Sequence, residues 1–307
     1  MDHEPSAGQF LQGAAMSLTH MQTFRIRSYE CNAHGFLHPA SYLHYMQETA
    51  SDATAAAGYD MARYEAMGRL WLARQTNIRY RRPLRYGDSV QVKTWVTDFR
   101  RIRSRRAYEF ALAGSGDLVA RAQTDWVFLD RDRGRPAPIP MKMKAAFFPE
   151  GLPTTTPAAS RFPSPPQPPP DAFQQWRRVE WQDLDQAQHV NNAVYLAYID
   201  DCEVQAAAAR GWSPERLQME GFTIVPTQHQ IEYRQAAILN DELALTTWIS
   251  SANYATALRH FVISRAADAS PVVRAHASWM CVDLRTGRQI PIPEALLADL
   301  APRAAAP

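Results

Sequence analysis

The sequence contains itself twice. NIRYRRPLRYGDSVQVKTWV, from Asn77, lies over QIEYRQAAILNDELALTTWI, from Gln230, at an offset of 153 residues. The same offset pairs Arg121, Ala122 and Trp126 with Arg274, Ala275 and Trp279, and GRPAPIP from Gly134 with GRQIPIP from Gly287. It also sets Gly58 against Gly211, Arg63 against Arg216, and ASYLHY at Ala40 against AVYLAY at Ala193. No gap is needed between Tyr42 and Pro140. A register held over that distance means two copies of one supersecondary unit, which restricts the chain to folds that work in tandem.

Between the copies runs PEGLPTTTPAASRFPSPPQPPP, residues 149–170, with nine prolines. Such a segment is an extended, semi-stiff connector with no core of its own. The expected division is therefore a loose leader over 1–20, one unit over 21–148, the connector, and a second unit over 171–307. The leader is acidic and has neither the basic start nor the apolar stretch of a signal peptide, and Met16 offers an alternative start. No apolar run is long enough to span a bilayer. The composition, 46% hydrophobic and 21% charged, is that of a globular chain, and a net charge of +2 argues against bulk binding to nucleic acid. Cys31, Cys202 and Cys281 have no metal-ligand spacing, and their odd number argues against a disulfide framework. A reducing cytoplasm is the expected home.

Each copy reads in the same order. A short strand (FRIRSY; WRRVEW) leads into a polar loop and then a long helix. In the first copy the helix carries Leu43, Met46, Ala50, Ala53 and Ala57 at helical spacing. A stripe that thins to alanine suits a helix pressed against a sheet. A shorter helical piece follows, and then alternating strands such as SVQVKTWV and ELALTTWI. One long helix with a run of antiparallel strands is an α+β pattern.

The second copy's polar loop is DLDQAQHVNN, Asp183 to Asn192, immediately before the helix VYLAYIDDCE. This D-x-D-x-x-x-H-V-N-N-x-x-Y-L entrance resembles that of 4-hydroxybenzoyl-CoA-type thioesterases. Two fused copies, with RSYE opening the first and DLDxxQHVNN the second, resemble the acyl-ACP thioesterases of plants and bacteria over roughly residues 21–300. The resemblance implies a tandem double hotdog, each unit a curved antiparallel sheet wrapped around a long central helix. It implies hydrolysis of an acyl thioester without a cofactor or a metal.

The resemblance places the key carboxylate at Asp185, as general base towards water or as nucleophile through a mixed anhydride. The backbone N–H near Asn192, at the positive end of the helix, would polarise the thioester carbonyl. His189 either bonds into the site or braces the loop. Asn191 and Asn192 are also natural capping side chains, and Asp183 is expected to be structural. The chain departs from the plant pattern in two places: the further catalytic asparagine falls on Ala187, and the glutamate–cysteine pair on Ala236 and Ala237. No cysteine of this chain has an activating arrangement to replace that pair. In the first copy, Asn32 stands opposite Asp185 and Phe36 opposite His189. One working copy is the simpler expectation, although His34 leaves a second site open.

The run FRRIRSRRAYEF holds Arg101, Arg103 and Arg105, which would share one face of a strand. It is either a charged, solvated edge or a docking patch for an acidic carrier protein or the phosphates of coenzyme A. Trp71, Trp95 and Phe110 are expected in the core, some of them against the acyl chain. Three readings result: a hydrolase for acyl-acyl carrier protein, a hydrolase for acyl-CoA, and a non-catalytic binder of acyl thioesters. The pseudo-dimer is expected to join its sheets and to set its helices at opposite ends of a pseudo-two-fold. A homodimer of the whole unit is an assembly compatible with it.

Overall fold

The computed structural model describes residues 17–153 and 161–300. The first copy comprises β1 (Thr19–Arg25), α1 (Pro39–Ala56), α2 (Met61–Ala66), β2 (Arg69–Tyr80), β3 (Ser89–Phe99), β4 (Arg103–Leu112), β5 (Leu118–Asp130), β6 (Arg135–Pro136) and α3 (Met141–Phe147). The second comprises β7 (Phe173–Arg178), α4 (Asn192–Ala208), α5 (Pro214–Met219), β8 (Phe222–Tyr233), β9 (Glu242–Ala252), β10 (Ala257–Arg265), β11 (Pro271–Asp283), β12 (Gln289–Ile290) and α6 (Glu294–Leu300). The bounds of β8, β9 and β11 lie 153 residues beyond those of β2, β3 and β5, so the sequence repeat is a structural one.

All twelve strands described form one antiparallel sheet, in the order β1-β3-β4-β5-β2-β8-β11-β10-β9-β7, with β6 on β5 and β12 on β11. The copies meet at β2 and β8, where Asn77 pairs with Gln230, its own repeat counterpart. That self-pairing marks the pseudo-two-fold. The long helices differ from the expectation: α1 and α4 do not stand at opposite ends but lie against one another. Joining the sheets at β2 and β8 brings the two wrapped helices to the same side of the seam. Their contact repeats under the pseudo-symmetry. The Gln47 side chain donates to Asn192 Oδ1, and Asp200, the counterpart of Gln47, has Oδ2 3.4 Å from Nδ1 of His38, one residue before the counterpart of Asn192.

The apolar faces of α1 and α4 form a single core with both halves of the sheet. Leu43, Met46, Ile78, Phe110, Leu196, Ile199, Ile231 and Phe261 belong to one contiguous buried cluster. The matched glycines end the long helices: Gly58 (φ +79°) and Gly211 (φ +83°) adopt the left-handed conformation that L side chains avoid. Their carbonyls accept from Arg63 and Arg216 respectively, which explains why glycine and arginine recur together.

The opening strands lie a few residues earlier than expected. β1 and β7 stop at Arg25 and Arg178, and Ser28–Glu30 and Trp181–Asp183 form single 3₁₀ turns. The cause is local capping. Glu30 accepts from the Arg27 N–H, and Asp183 from the Glu180 N–H, both at 2.8 Å. Thr19 and His20, expected in the leader, already pair with Trp95 and Thr94; residues 1–16 lie outside the described set, as do 154–160 of the connector. Phe110 is fully buried, whereas Trp95 is only half-buried. No helix among the described residues is long and apolar enough to cross a membrane.

His229 sits at the seam, 1% exposed, with Nδ1 3.1 Å from the Tyr80 hydroxyl. Burial lowers its pKa to about 4. A depressed histidine binds its proton in the unfolded chain first, so stability falls as pH drops from about 6.5 towards 4. His229→Gln should flatten that decline by up to about 1.4 kcal/mol per pH unit, read from urea melts between pH 7 and pH 4.

Candidate active site

The loop between Trp181–Asp183 and α4 is a tight polar turn. The Asp185 N–H donates to the His189 carbonyl at 3.0 Å, the Gln188 N–H to the Asp185 carbonyl at 2.9 Å, and Gln188 takes φ +61°. Leu184 and Val190 form an isolated bridge beside it. Asp185 Oδ1 accepts from the Ala187 N–H at 2.8 Å, an Asx turn that fixes the carboxylate at the loop surface. Asp183, by contrast, is 5% exposed and caps its own 3₁₀ turn, as expected for a structural residue.

Asn191 is the N-cap of α4, its Oδ1 accepting from the Ala193 N–H at 2.9 Å. Asn192 is the first helical residue, and its side chain is held by Gln47 of α1. Its carbonyl accepts from the Tyr233 hydroxyl at 3.2 Å. Its N–H is one of the donors a helix start leaves free. His189 is half-buried, and its Nδ1 is buried without a hydrogen-bond partner among the described residues.

Asp185, His189, Asn191 and Asn192 all line one cavity of about 500 Å³. From this polar wall it runs into the first copy, against Trp71, Val96, Phe99, Trp126 and Phe147. Space is left there because only the second half of β2, Gln75–Arg79, pairs with β8. The first half, Arg69–Ala73, pairs with β5 alone and stays half-buried. Trp71, one of the aromatics expected in the core or against the acyl chain, therefore forms wall. The volume lies in the range of small-molecule sites.

Ala236 is also on this wall, and the Ala237 carbonyl accepts from the Val190 N–H at 2.9 Å. Of the two positions where the plant pattern carries glutamate and cysteine, Ala236 is thus on the wall and Ala237 is fully buried beside it. Burial pushes the Cys202 thiol up to about 12, so it is protonated at neutral pH. Arg101, Arg103 and Arg105 are not on the wall. Arg101 precedes β4 and, like Arg103, is exposed, while Arg105 makes a two-pronged pair with Asp125 at 2.6 and 2.9 Å. Gln47 and Tyr233 belong to the site but carry no local sequence signal; their offset counterparts, Asp200 and Tyr80, lie against His38 and His229.

The first copy's entrance is built differently. Asn32 Oδ1 accepts from the His34 and Phe36 N–H groups at 3.0 and 3.1 Å, and so braces its turn. Phe36, opposite His189, is buried against Val225 and Val282 and carries the Arg85 guanidinium over its ring at 4.4 Å. An apolar plug fills this entrance where the second copy has a polar wall.

A paired sheet of two hotdog units, with one polar helix entrance opening on a mostly apolar cavity, is the architecture of double-hotdog thioesterases. Residues 17–147 match the acyl-ACP thioesterase N-terminal domain family, and residues 179–300 the thioesterase-like superfamily. The first unit is thus similar to the acyl-ACP thioesterase family and the second to the broader thioesterase-like superfamily. It is 23% identical over 274 residues to an acyl-[acyl-carrier-protein] hydrolase of Cuphea viscosissima, covering 85% of this chain and 63% of the Cuphea protein. It thus spans less than two thirds of that relative. Among solved structures, a putative oleoyl thioesterase from Lactobacillus plantarum superposes with a TM-score of 0.76 at 17% identity, covering 91% of this chain and 98% of that one. The 12:0-ACP thioesterase of Umbellularia californica gives 0.69 at 20% identity, covering 85% and 93%. These structures share the fold.

The cap geometry makes one expectation specific. Asn191→Ala removes the acceptor for the Ala193 N–H and should lower stability by about 1 kcal/mol. Asn191→Asp, which keeps the acceptor, should stay within a few tenths of wild type in the same denaturant melts.

Proposed function

We propose that this protein hydrolyses acyl thioesters and releases a fatty acid from acyl carrier protein. The observation that carries the reading is the shared cavity: a carboxylate and a free helix-start N–H at one end, and an apolar slot reaching into the other copy. A thioester carbonyl set against Asn192 would place its acyl chain between Trp71, Phe99 and Phe147. Asp185 lines the cavity and has one oxygen held by the Ala187 N–H.

As base, Asp185 takes a proton from water while the water oxygen bonds to the carbonyl carbon. The negative oxygen of the tetrahedral intermediate is stabilised by the Asn192 N–H and the helix dipole. The C–S bond then breaks, and the departing sulfur recovers the proton from Asp185. As nucleophile, Asp185 would itself displace the thiol, and water would then cleave the mixed anhydride. With alanine at 187, 236 and 237, either route relies on fewer side chains than the plant pattern. The carrier enters this reading through exposed cationic groups, Arg101 and Arg103, which suit an acidic protein; Arg234 on the cavity wall is itself paired with Glu232 at 3.2 Å. Three unpaired thiols suit a reducing compartment such as the cytoplasm.

Asp185→Asn should reduce kcat on acyl-acyl carrier protein by at least about a hundredfold while leaving the circular dichroism spectrum unchanged. Asn32→Ala should leave kcat within a few-fold of wild type. Equal losses from the two substitutions would overturn the one-site reading. Single turnover in ¹⁸O-water tests the nucleophile route: water that opens the anhydride at the Asp185 carbonyl leaves label in that carboxylate, which the base route never does.

A further inference from the structure

The repeat places an arginine at the same point in each copy, Arg106 on β4 and Arg259 on β10, 153 residues apart. Both are almost wholly buried, at 5% and 4% exposed. Their surroundings differ. In the second copy Glu203, on the central helix α4, lies 3.5 Å from Arg259; burial raises its pKa to about 7, and the nearby Arg259 opposes that shift. The residue of α1 that corresponds to Glu203 is Ala50. Arg106 consequently has no carboxylate within ion-pair distance among the described residues. Its guanidinium lies 5.5 Å from the Phe147 ring, a partial compensation. Burial lowers its pKa, and the groups opposing that shift are the weakly acidic Tyr108 and Tyr64.

A buried cation with five donors and no anion is costly, and the usual remedy is a partner. Arg106 and Ala50 both line the 500 Å³ cavity. Removing the helix carboxylate has therefore left an uncompensated guanidinium in the space that the proposed reading gives to the acyl chain. In the strand order β4-β5-β2, Arg106 lies two strands beyond the β2 edge, about 10 Å across the sheet.

We infer that Arg106 selects acyl chains bearing an oxygen acceptor remote from the thioester, with a terminal carboxylate the best match. This rests on the acyl-thioester reading of the cavity. The substrate's oxygen takes the place that Glu203 holds in the other copy. A plain hydrocarbon entering the same space strips the guanidinium of whatever solvates it and offers nothing in return. Arginine suits this role because its planar fork matches a carboxylate with two hydrogen bonds.

The test uses the full chain and acyl thioesters of one length ending in methyl, hydroxyl or carboxylate. Wild type should prefer the oxygenated chains by at least about tenfold in kcat/KM, since a polar site rejects analogues that leave its donors unpaired. Arg106→Met keeps the bulk without the charge and should reverse the preference. Ala50→Glu installs the second copy's arrangement; it should abolish the preference and raise Tm. A wild type that hydrolyses methyl-ended chains equally well, or an Arg106→Met variant that retains the oxygenated preference, overturns the inference while leaving the hydrolase reading standing. If no thioester in the panel is hydrolysed, that reading falls. The inference is then decided by calorimetric binding of matched mono- and dicarboxylic free acids to wild type and Arg106→Met. Discrimination lost in the variant supports it, and indifference in both proteins overturns it.

Discussion

Everything in this molecule depends on the antiparallel pairing of β2 with β8. Five residue pairs from Gln75–Glu232 to Arg79–Gln228 turn two sheets into one and set Asn77 against its own counterpart. They also fix the side on which both long helices lie, and so bring α1 against α4. From that contact comes the Gln47–Asn192 hydrogen bond, which ties the entrance of one copy to the helix of the other. The pairing is short as well as firm. Because it stops at Gln75, the first half of β2 is left without a neighbour on that side, and the cavity opens there.

Duplication supplies two equivalent positions for every feature, and the structure uses them unequally. At the entrance, Asp185 and His189 face a cavity where Asn32 and Phe36 make a braced, plugged turn. Around the far sheet the bias runs the other way. The second copy closes its interior with Trp212, Leu217, Trp279 and Leu296 in one buried cluster. The first copy has Tyr59, Tyr64, Phe128 and Phe147 clustered there and keeps open space beside them. One copy provides the polar chemistry and the other the room, and neither has a complete site by itself.

The repeat made the element order and the joined sheet readable from residues alone, since local periodicity and a constant offset survive without knowledge of contacts. The polar loop was readable for the same reason: Asp185 through Asn192 are consecutive, and a helix entrance gathers consecutive residues. What could not be read were meetings between distant segments. Gln47 and Asn192 are 145 residues apart, and nothing near Gln47 distinguishes it from any helix-surface glutamine. The opening strands were expected to run on to Tyr29 and Trp181, where Glu30 and Asp183 instead each close a 3₁₀ turn through a carboxylate. The helices were expected apart because the sequence encodes each helix's apolar face but not the side of the seam on which it will lie. The unequal environments of Arg106 and Arg259 were in principle legible, since comparing Ala50 with Glu203 at the shared offset needs no coordinates.

The cavity crosses the boundary between the copies, with its polar wall on α4 and most of its apolar wall on the first copy's sheet. A molecule that fills it touches both halves at once and acts as a non-covalent rivet between them. Occupancy is thereby linked to the cohesion of the seam: whatever loosens β2 from β8 weakens ligand binding, and whatever binds tightens the seam by the same free energy. The plugged entrance of the first copy has a part in this. With Phe36 seated against Val225 and Val282, that half of the junction is held by side chains alone. The junction thus carries an apolar plug on one side of its pseudo-two-fold and a cavity that a ligand can fill on the other.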